Sequence, residues 1–195
     1  WFDLRTNLRR EMEGRLQRFD EHDFQEELRR RLNKEVHKGI FDAVHVFVPS
    51  VDVADTEDLR LLVLPPSAPH KRKERRSRAI EVATEYLAKR GDDGRSHQNR
   101  LLFLVPDQDI VSTLRDQTKR YLAWKSIVAD ADELNLDKHH EKQAKESTGE
   151  ADRRVAGTLT EAYKWLLAPA QELTQQGGLG EVFWEKTTLP SGQGN

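Results

Sequence analysis

Cysteine is absent from the 195 residues, which removes disulfide frameworks, thiol nucleophiles and cysteine-ligated zinc or iron–sulfur sites. No apolar run is long enough to cross a bilayer, and the mean hydropathy is −0.82, so no membrane contact is expected. An excess of one charge is missing too. Against 32 Lys and Arg stand 34 Asp and Glu, a net −2 with His neutral, which excludes a strongly basic nucleic-acid coat protein. The one methionine, Met12, lies inside a helical pattern, the chain starts at Trp1, and no charged stretch leads into an apolar signal segment. A piece of a longer, cytoplasmic protein is the expectation. What is abundant is charge of both signs, at 34% of residues against about 25% in ordinary domains. That balance implies long solvated helices around modest cores.

Apolar residues Leu8, Met12, Leu16, Phe19, Leu28, Leu32 and Val36 recur at three- or four-residue spacing, interrupted at Asp20 to Asp23. Two helices with a break near Asp20 are expected, the second closed by Gly39. Three nearly continuous apolar runs follow, at 43–48, 59–64 and 101–105, each ended by proline; such runs suit strands buried on both faces. Between the second and third lies a helix that Ser77 can cap, with Ala79, Ile80, Ala83, Tyr86 and Leu87 on one face and a stop at Gly91. The order strand, helix, strand predicts a β-α-β crossover. Ile110, Leu114, Tyr121, Trp124 and Val128 mark a further helix that Asp107 can cap, and a last one is expected over 137–167, ended by Pro169. Val182-Phe183-Trp184 offers one more strand before a Gly/Ser-rich tail.

The sequence shows no catalytic constellation. A P-loop needs glycines leading into Gly-Lys-Ser/Thr, and none of the 11 glycines precedes a lysine. Pro106-Asp107 follows its strand as a Walker-B acid would, but without a P-loop a buried strand with a helix cap is the simpler reading. Among His22, His37, His45, His70, His97, His139 and His140, no pair has the spacing that aims two imidazoles at one zinc ion. His45, within an apolar strand, reads as a hydrogen-bonded core histidine. No lysine has an acid two residues before it, so Asp107 is not completed into a metal-dependent nuclease motif. No serine sits in a Gly-x-Ser-x-Gly elbow.

The remaining candidate site is the cluster Lys71, Arg72, Lys73, Arg75, Arg76 and Arg78, which can neutralise several phosphates. The alternative is a solvated loop balancing the acidic stretch 52–58. Trp1, Tyr163, Trp165 and Trp184 are expected to pack seams between sheet and helices, or to face a partner.

Several segments together resemble a known family. They are Trp1-Phe2-Asp3, Asn7-Leu8-Arg9-Arg10, Phe41-Asp42-Ala43-Val44-His45-Val46-Phe47 and Asp52-Val53-Ala54-Asp55. Further along come Leu61-Leu62-Val63-Leu64, Asn99-Arg100-Leu101-Leu102-Phe103-Leu104, Arg120-Tyr121-Leu122-Ala123-Trp124 and Tyr163-Lys164-Trp165-Leu166-Leu167-Ala168-Pro169. In that order they resemble a family of large bacterial and archaeal ATP-binding proteins catalogued as a domain of unknown function, number four-nine-nine in words. The resemblance implies a parent with an AAA-type P-loop ATPase module outside these residues, using ATP and Mg, found beside DNA methyltransferases and helicases in gene clusters linked to phage defence. It implies no cofactor and no catalytic residue for this segment.

The fold expected is α+β. It comprises a small, mostly parallel three-stranded sheet flanked by helices, plus a long antiparallel helical hairpin. The expected division is N-terminal charged helices at 1–40, an α/β core at 41–128, the long helix of the hairpin at 129–170 and a tail at 171–195. The expected function is that of an accessory or coupling module of a defence-associated ATPase. It would contact the rest of the parent, a methyltransferase or helicase subunit, or DNA, with no catalysis of its own. A nucleic-acid-binding module using the basic cluster is the alternative, and a metal-dependent nuclease ranks last.

Overall fold

A computed structural model of the chain describes residues 7–189. Trp1-Phe2-Asp3 and the Gly/Ser-rich end therefore lie outside the described residues. In chain order the elements are α1 (Leu8–Arg15), α2 (Glu21–Glu35), β1 (Ala43–Val46), β2 (Arg60–Val63), α3 (Arg78–Ala88), β3 (Lys89–Arg90), β4 (Asp93–Gly94), β5 (Leu101–Val105), α4 (Gln108–Ala129), α5 (Lys138–Ala162), β6 (Trp165–Ala170) and β7 (Phe183–Thr188). No described helix is long and apolar enough to cross a membrane. The chain forms two compact units interleaved in sequence, one from the described residues up to Leu28 with Ser112–Leu159, the other from Arg29–Val111 with the described residues from Thr160.

The second unit is built on a sheet of five strands, not the three expected, in the order β1-β2-β5-β6-β7. The three apolar runs pair in parallel, Ala43 opposite Arg60 and Arg60 opposite Leu101. To them are added two antiparallel strands, with Phe103 opposite Leu167 and Leu167 opposite Lys186. The helix expected to reach 167 stops at Ala162. Its last carbonyl accepts from the Asp107 amide at 2.8 Å, and Trp165 to Leu167 then satisfy the open edge of β5. Pro169 fits in this inner strand because it lies beyond the register with β5, where its missing N–H is not needed.

Leu62, Leu64, Phe103, Val105, Trp165 and Leu167 share one face and pack against Ala79, Ile80, Ala83 and Leu87 of α3. The two alanines let the helix approach closely, and Ser77 caps it as expected by accepting from the Ile80 amide. Leu61, Val63 and Leu104 on the other face are buried as well, which explains the loss of polar alternation in these strands. The helix ends at Ala88 rather than at Gly91, which instead turns the β3–β4 hairpin at φ +62°. Likewise α2 ends at Glu35, and Gly39, at φ +51°, serves a separate turn. β1 stops at Val46 because Phe47 adopts φ +54°, a left-handed conformation that breaks the strand.

The first unit is helical. Asp20 starts α2 as the sequence break suggests, its carboxylate accepting from the His22 and Asp23 amides while Asp23 accepts from the Asp20 amide. Leu8 and Met12 of α1 pack with Ala123 and Ile127 of α4 and Ala144 of α5. Thr158 donates to Gln117 at 2.7 Å, so within this unit α4 and α5 run antiparallel, early residues of one beside late residues of the other. Buried Arg15 donates to Glu11 at 2.7 Å, Ser126 at 3.0 Å and Asp130 at 2.5 Å, leaving none of its burial uncompensated.

Candidate nucleic-acid interface

Prolines follow β2 and β5, at Pro65 and Pro106, and the chain beyond them meets again at the strands' carboxyl ends. The His70 amide donates to the Pro106 carbonyl at 2.8 Å, and the Gln108 amide to the His70 carbonyl at 2.9 Å. His70 is thereby buried at 1% exposure, with its ring edge-on to Trp165, centroids 5.1 Å apart. Its Nδ1 lies 2.7 Å from the Ser77 hydroxyl. Ser77 Oγ already accepts from the Ile80 amide, so its hydrogen is available to a neutral imidazole. Burial, then Lys186, hold the His70 pKa below its ordinary value, opposed by Glu74 and Asp107.

This contact closes the basic segment into a pinned loop. His70 and Ser77 join its two ends, the Ala79 amide donates to the Pro69 carbonyl at 3.1 Å, and the Lys186 ammonium donates to the Glu74 carbonyl at 2.8 Å from β7. Lys71, Arg72, Lys73, Arg75 and Arg76 are all exposed and form no ion pair among the described residues. Arg78, on the first turn of α3, pairs with Glu81 at 3.0 Å. The structure thus separates the sixth predicted cation from the other five.

The acidic stretch does not balance them. Asp55 accepts from the Ser96 and His97 amides at 2.8 and 2.9 Å, and Asp58 pairs with Arg60 at 2.8 Å. Burial would raise the Asp55 pKa, but these amides, the His97 ring and Arg95 outweigh it and hold the carboxyl below its usual range. Arg95 itself is fully buried and donates to the carbonyls of Tyr86, Ala54, Val53 and Ser50, fastening the crossover from β1 to β2.

Asp107 is the busiest carboxylate nearby. One oxygen accepts from the Asp109 amide at 2.9 Å and caps α4, as the sequence suggested; the other accepts from Trp165 Nε1 at 3.0 Å and from Lys164 at 2.8 Å. Desolvation pushes its pKa up, and Lys164, the Asp109 amide and the indole N–H more than reverse that. Ser77, His70 and Asp107 have the residue types of a nucleophilic triad without its arrangement. The serine meets the nitrogen a carboxylate should hold, it is buried, and Asp107 is engaged elsewhere. No group of three or more His, Asp or Glu among the described residues is placed to hold a metal.

Other candidates settle as packing. Tyr163 and Trp165 are buried in the seam, Tyr163 donating to the Leu64 carbonyl at 3.0 Å, and Trp184 stacks edge-on to Phe103. His45 is only half-buried, and contrary to the sequence reading its buried Nε2 has no hydrogen-bond partner. Burial, then Arg60, lower its pKa. Sequence spacing missed Arg95, Lys164 and Lys186, whose partners lie far away in the chain. Comparison with protein-family models, curated proteins and solved structures gives no match.

Proposed function

We propose that this segment is a non-catalytic accessory module of a P-loop ATPase of the resembled family, and that it contacts nucleic acid through the loop 71–76 while the nucleotide-hydrolysing core lies in another part of the parent. The observation that carries the reading is the pinned loop, which presents five exposed cations with no carboxylate partner. Backbone flexibility would be lost on binding to any rigid anion, and a loop already tied at its ends gives up less of it. Exposed cations of this kind would neutralise phosphates without reading base edges, so the proposed contact is one independent of sequence.

Fluorescence anisotropy of a labelled 20-base-pair duplex, titrated with the protein at several salt concentrations, tests this. Five phosphates neutralised correspond to a slope of log affinity against log salt of about −4.5. The variant with Arg72, Arg75 and Arg76 changed to Glu should lose binding and flatten the slope. Equal affinity in that variant would refute the reading.

A protein partner is the second reading, favoured by the exposed Leu173, Leu179, Val182 and Phe183 at and before the start of β7. A neighbouring domain of the parent, or a methyltransferase or helicase subunit, would be such a partner.

A further inference from the structure

A groove of about 230 Å³ lies between α4 and α5, within the helical unit, lined by Gln117, Arg120 and Trp124 from one helix and Ser147, Glu150 and Arg154 from the other. On each helix these positions fall at i, i+3 and i+7, so each helix turns one stripe toward the groove. Between paired helices such a stripe is ordinarily apolar, as it is where Ala123 and Ile127 meet Ala144. Here it is open and mixed, with Ala151 and Trp124 beside the polar side chains.

Some arginines of this unit have carboxylate partners, while others, Arg10, Arg18 and Arg153, have none among the described residues. Arg115 pairs with Glu21 at 2.9 Å, Arg9 with Glu13 at 3.1 Å and Arg15 with Glu11 and Asp130. Arg120 and Arg154 have neither an ion pair nor a hydrogen bond among the described residues. In the same groove Trp124 is half-buried, resting partly against the Ile127 cluster, and its indole N–H is unpaired among the described residues. Arg120 and Arg154 are exposed and hold no carboxylate, so both guanidinium groups at this groove are available to an incoming anion.

We propose that the groove binds one nucleotide unit, its base stacked on Trp124 and its phosphate held between Arg120 and Arg154. The open part of this half-buried indole supplies a stacking platform for any base, and guanidinium forks match phosphate oxygens. Glu150 would oppose a bare anion, but it can accept from the amino group of a base, so the set favours a nucleotide over inorganic phosphate. The volume is below the roughly 300–1,000 Å³ of whole-ligand pockets, which suits one base and not a dinucleotide. The shared chemistry, a phosphate-bearing base, has two sources: a free mononucleotide or a single strand. This proposal does not rest on the basic loop, and either site stands if the other fails.

The test uses the full chain with two fluorescent probes, labelled adenosine monophosphate and a labelled twelve-nucleotide oligodeoxyadenylate, followed by anisotropy. Arg120 and Arg154 are exposed, so changing both to Glu leaves the fold intact by circular dichroism and should weaken binding at least about tenfold. Trp124→Leu should weaken it about 5- to 150-fold, with Trp124→Phe restoring most of the affinity. Charge reversal at Arg72, Arg75 and Arg76 should leave mononucleotide binding unchanged. Binding of both probes assigns a free nucleotide as sufficient ligand, and binding of the oligonucleotide alone assigns a strand. No binding of either, or unchanged affinity in the Arg120/Arg154 variant, overturns the proposal, as does a Trp124→Leu loss that Phe fails to restore.

Discussion

Replacing Asp107 by Ala removes three hydrogen bonds from one nearly buried carboxylate. The cap of α4 accounts for about 1 kcal/mol. The indole N–H of Trp165, itself buried, would be left without an acceptor at about 1–3 kcal/mol. Lys164 is one-third exposed and finds water, so its loss adds little. The sum is about 2–4 kcal/mol, measured at pH 7 by urea unfolding followed by circular dichroism. A second background separates the parts: in Trp165→Phe there is no N–H to orphan, and Asp107→Ala should then cost only the cap, about 1 kcal/mol. The pH dependence has a fixed sign. The folded pKa of Asp107 is depressed, so its contribution is complete above the ordinary carboxylate value of about 3.9 and is lost as pH falls through the folded pKa. Wild type and Asp107→Ala should therefore converge toward pH 2. A loss below about 0.5 kcal/mol at pH 7, or an equal cost in both backgrounds, would refute the reasoning.

Arg95→Met should cost at least about 3 kcal/mol, because four carbonyls lose a buried donor, and hydrogen exchange should accelerate at residues 50–54; a change below about 1 kcal/mol would show that water replaces the guanidinium without penalty. His70 and His45 both have folded pKa values below the ordinary one, so the unfolded chain binds more protons, and stability is full above about pH 6.5 and falls below it. His70→Gln should flatten the plot of melting temperature between pH 7.5 and 5.5, and an unchanged slope would exclude His70 as a source.

The parallel half of the sheet was legible because Leu61 to Leu64 and Leu101 to Val105 are apolar without alternation, and burial on both faces leaves that mark. Ser77 and Asp107 were legible as caps because a cap is a local relation between a side chain and amides two or three residues on. β6 was hidden for the opposite reason. Trp165 and Leu166 continue the spacing of Leu159 and Ala162, so one periodicity spans a helix and a strand, and only pairing with β5 decides where the change occurs. At the candidate interface the cations were visible as composition. Their lack of partners was not, since it depends on Asp55 and Asp58 turning to Arg95, His97 and Arg60. The groove on α4 and α5 escaped notice because its two stripes are some thirty residues apart and each alone looks like an ordinary solvated face.

Asp107 closes a clasp. Its amide meets the carbonyl of Ala162 at 2.8 Å and its carboxylate meets Lys164, so the chain departs from β5 and returns to β6 through a single gate. Closing a longer detour through such a gate costs only logarithmically more entropy than closing a short one. The sheet is consequently indifferent to the length of what is threaded there. The excursion Ser112–Leu159 is nonetheless tied to the N-terminal helices by the Arg15–Asp130 and Arg115–Glu21 pairs, so a protein lineage or an engineer that exchanges it must exchange α1 and the start of α2 with it, while the strands on either side keep their register.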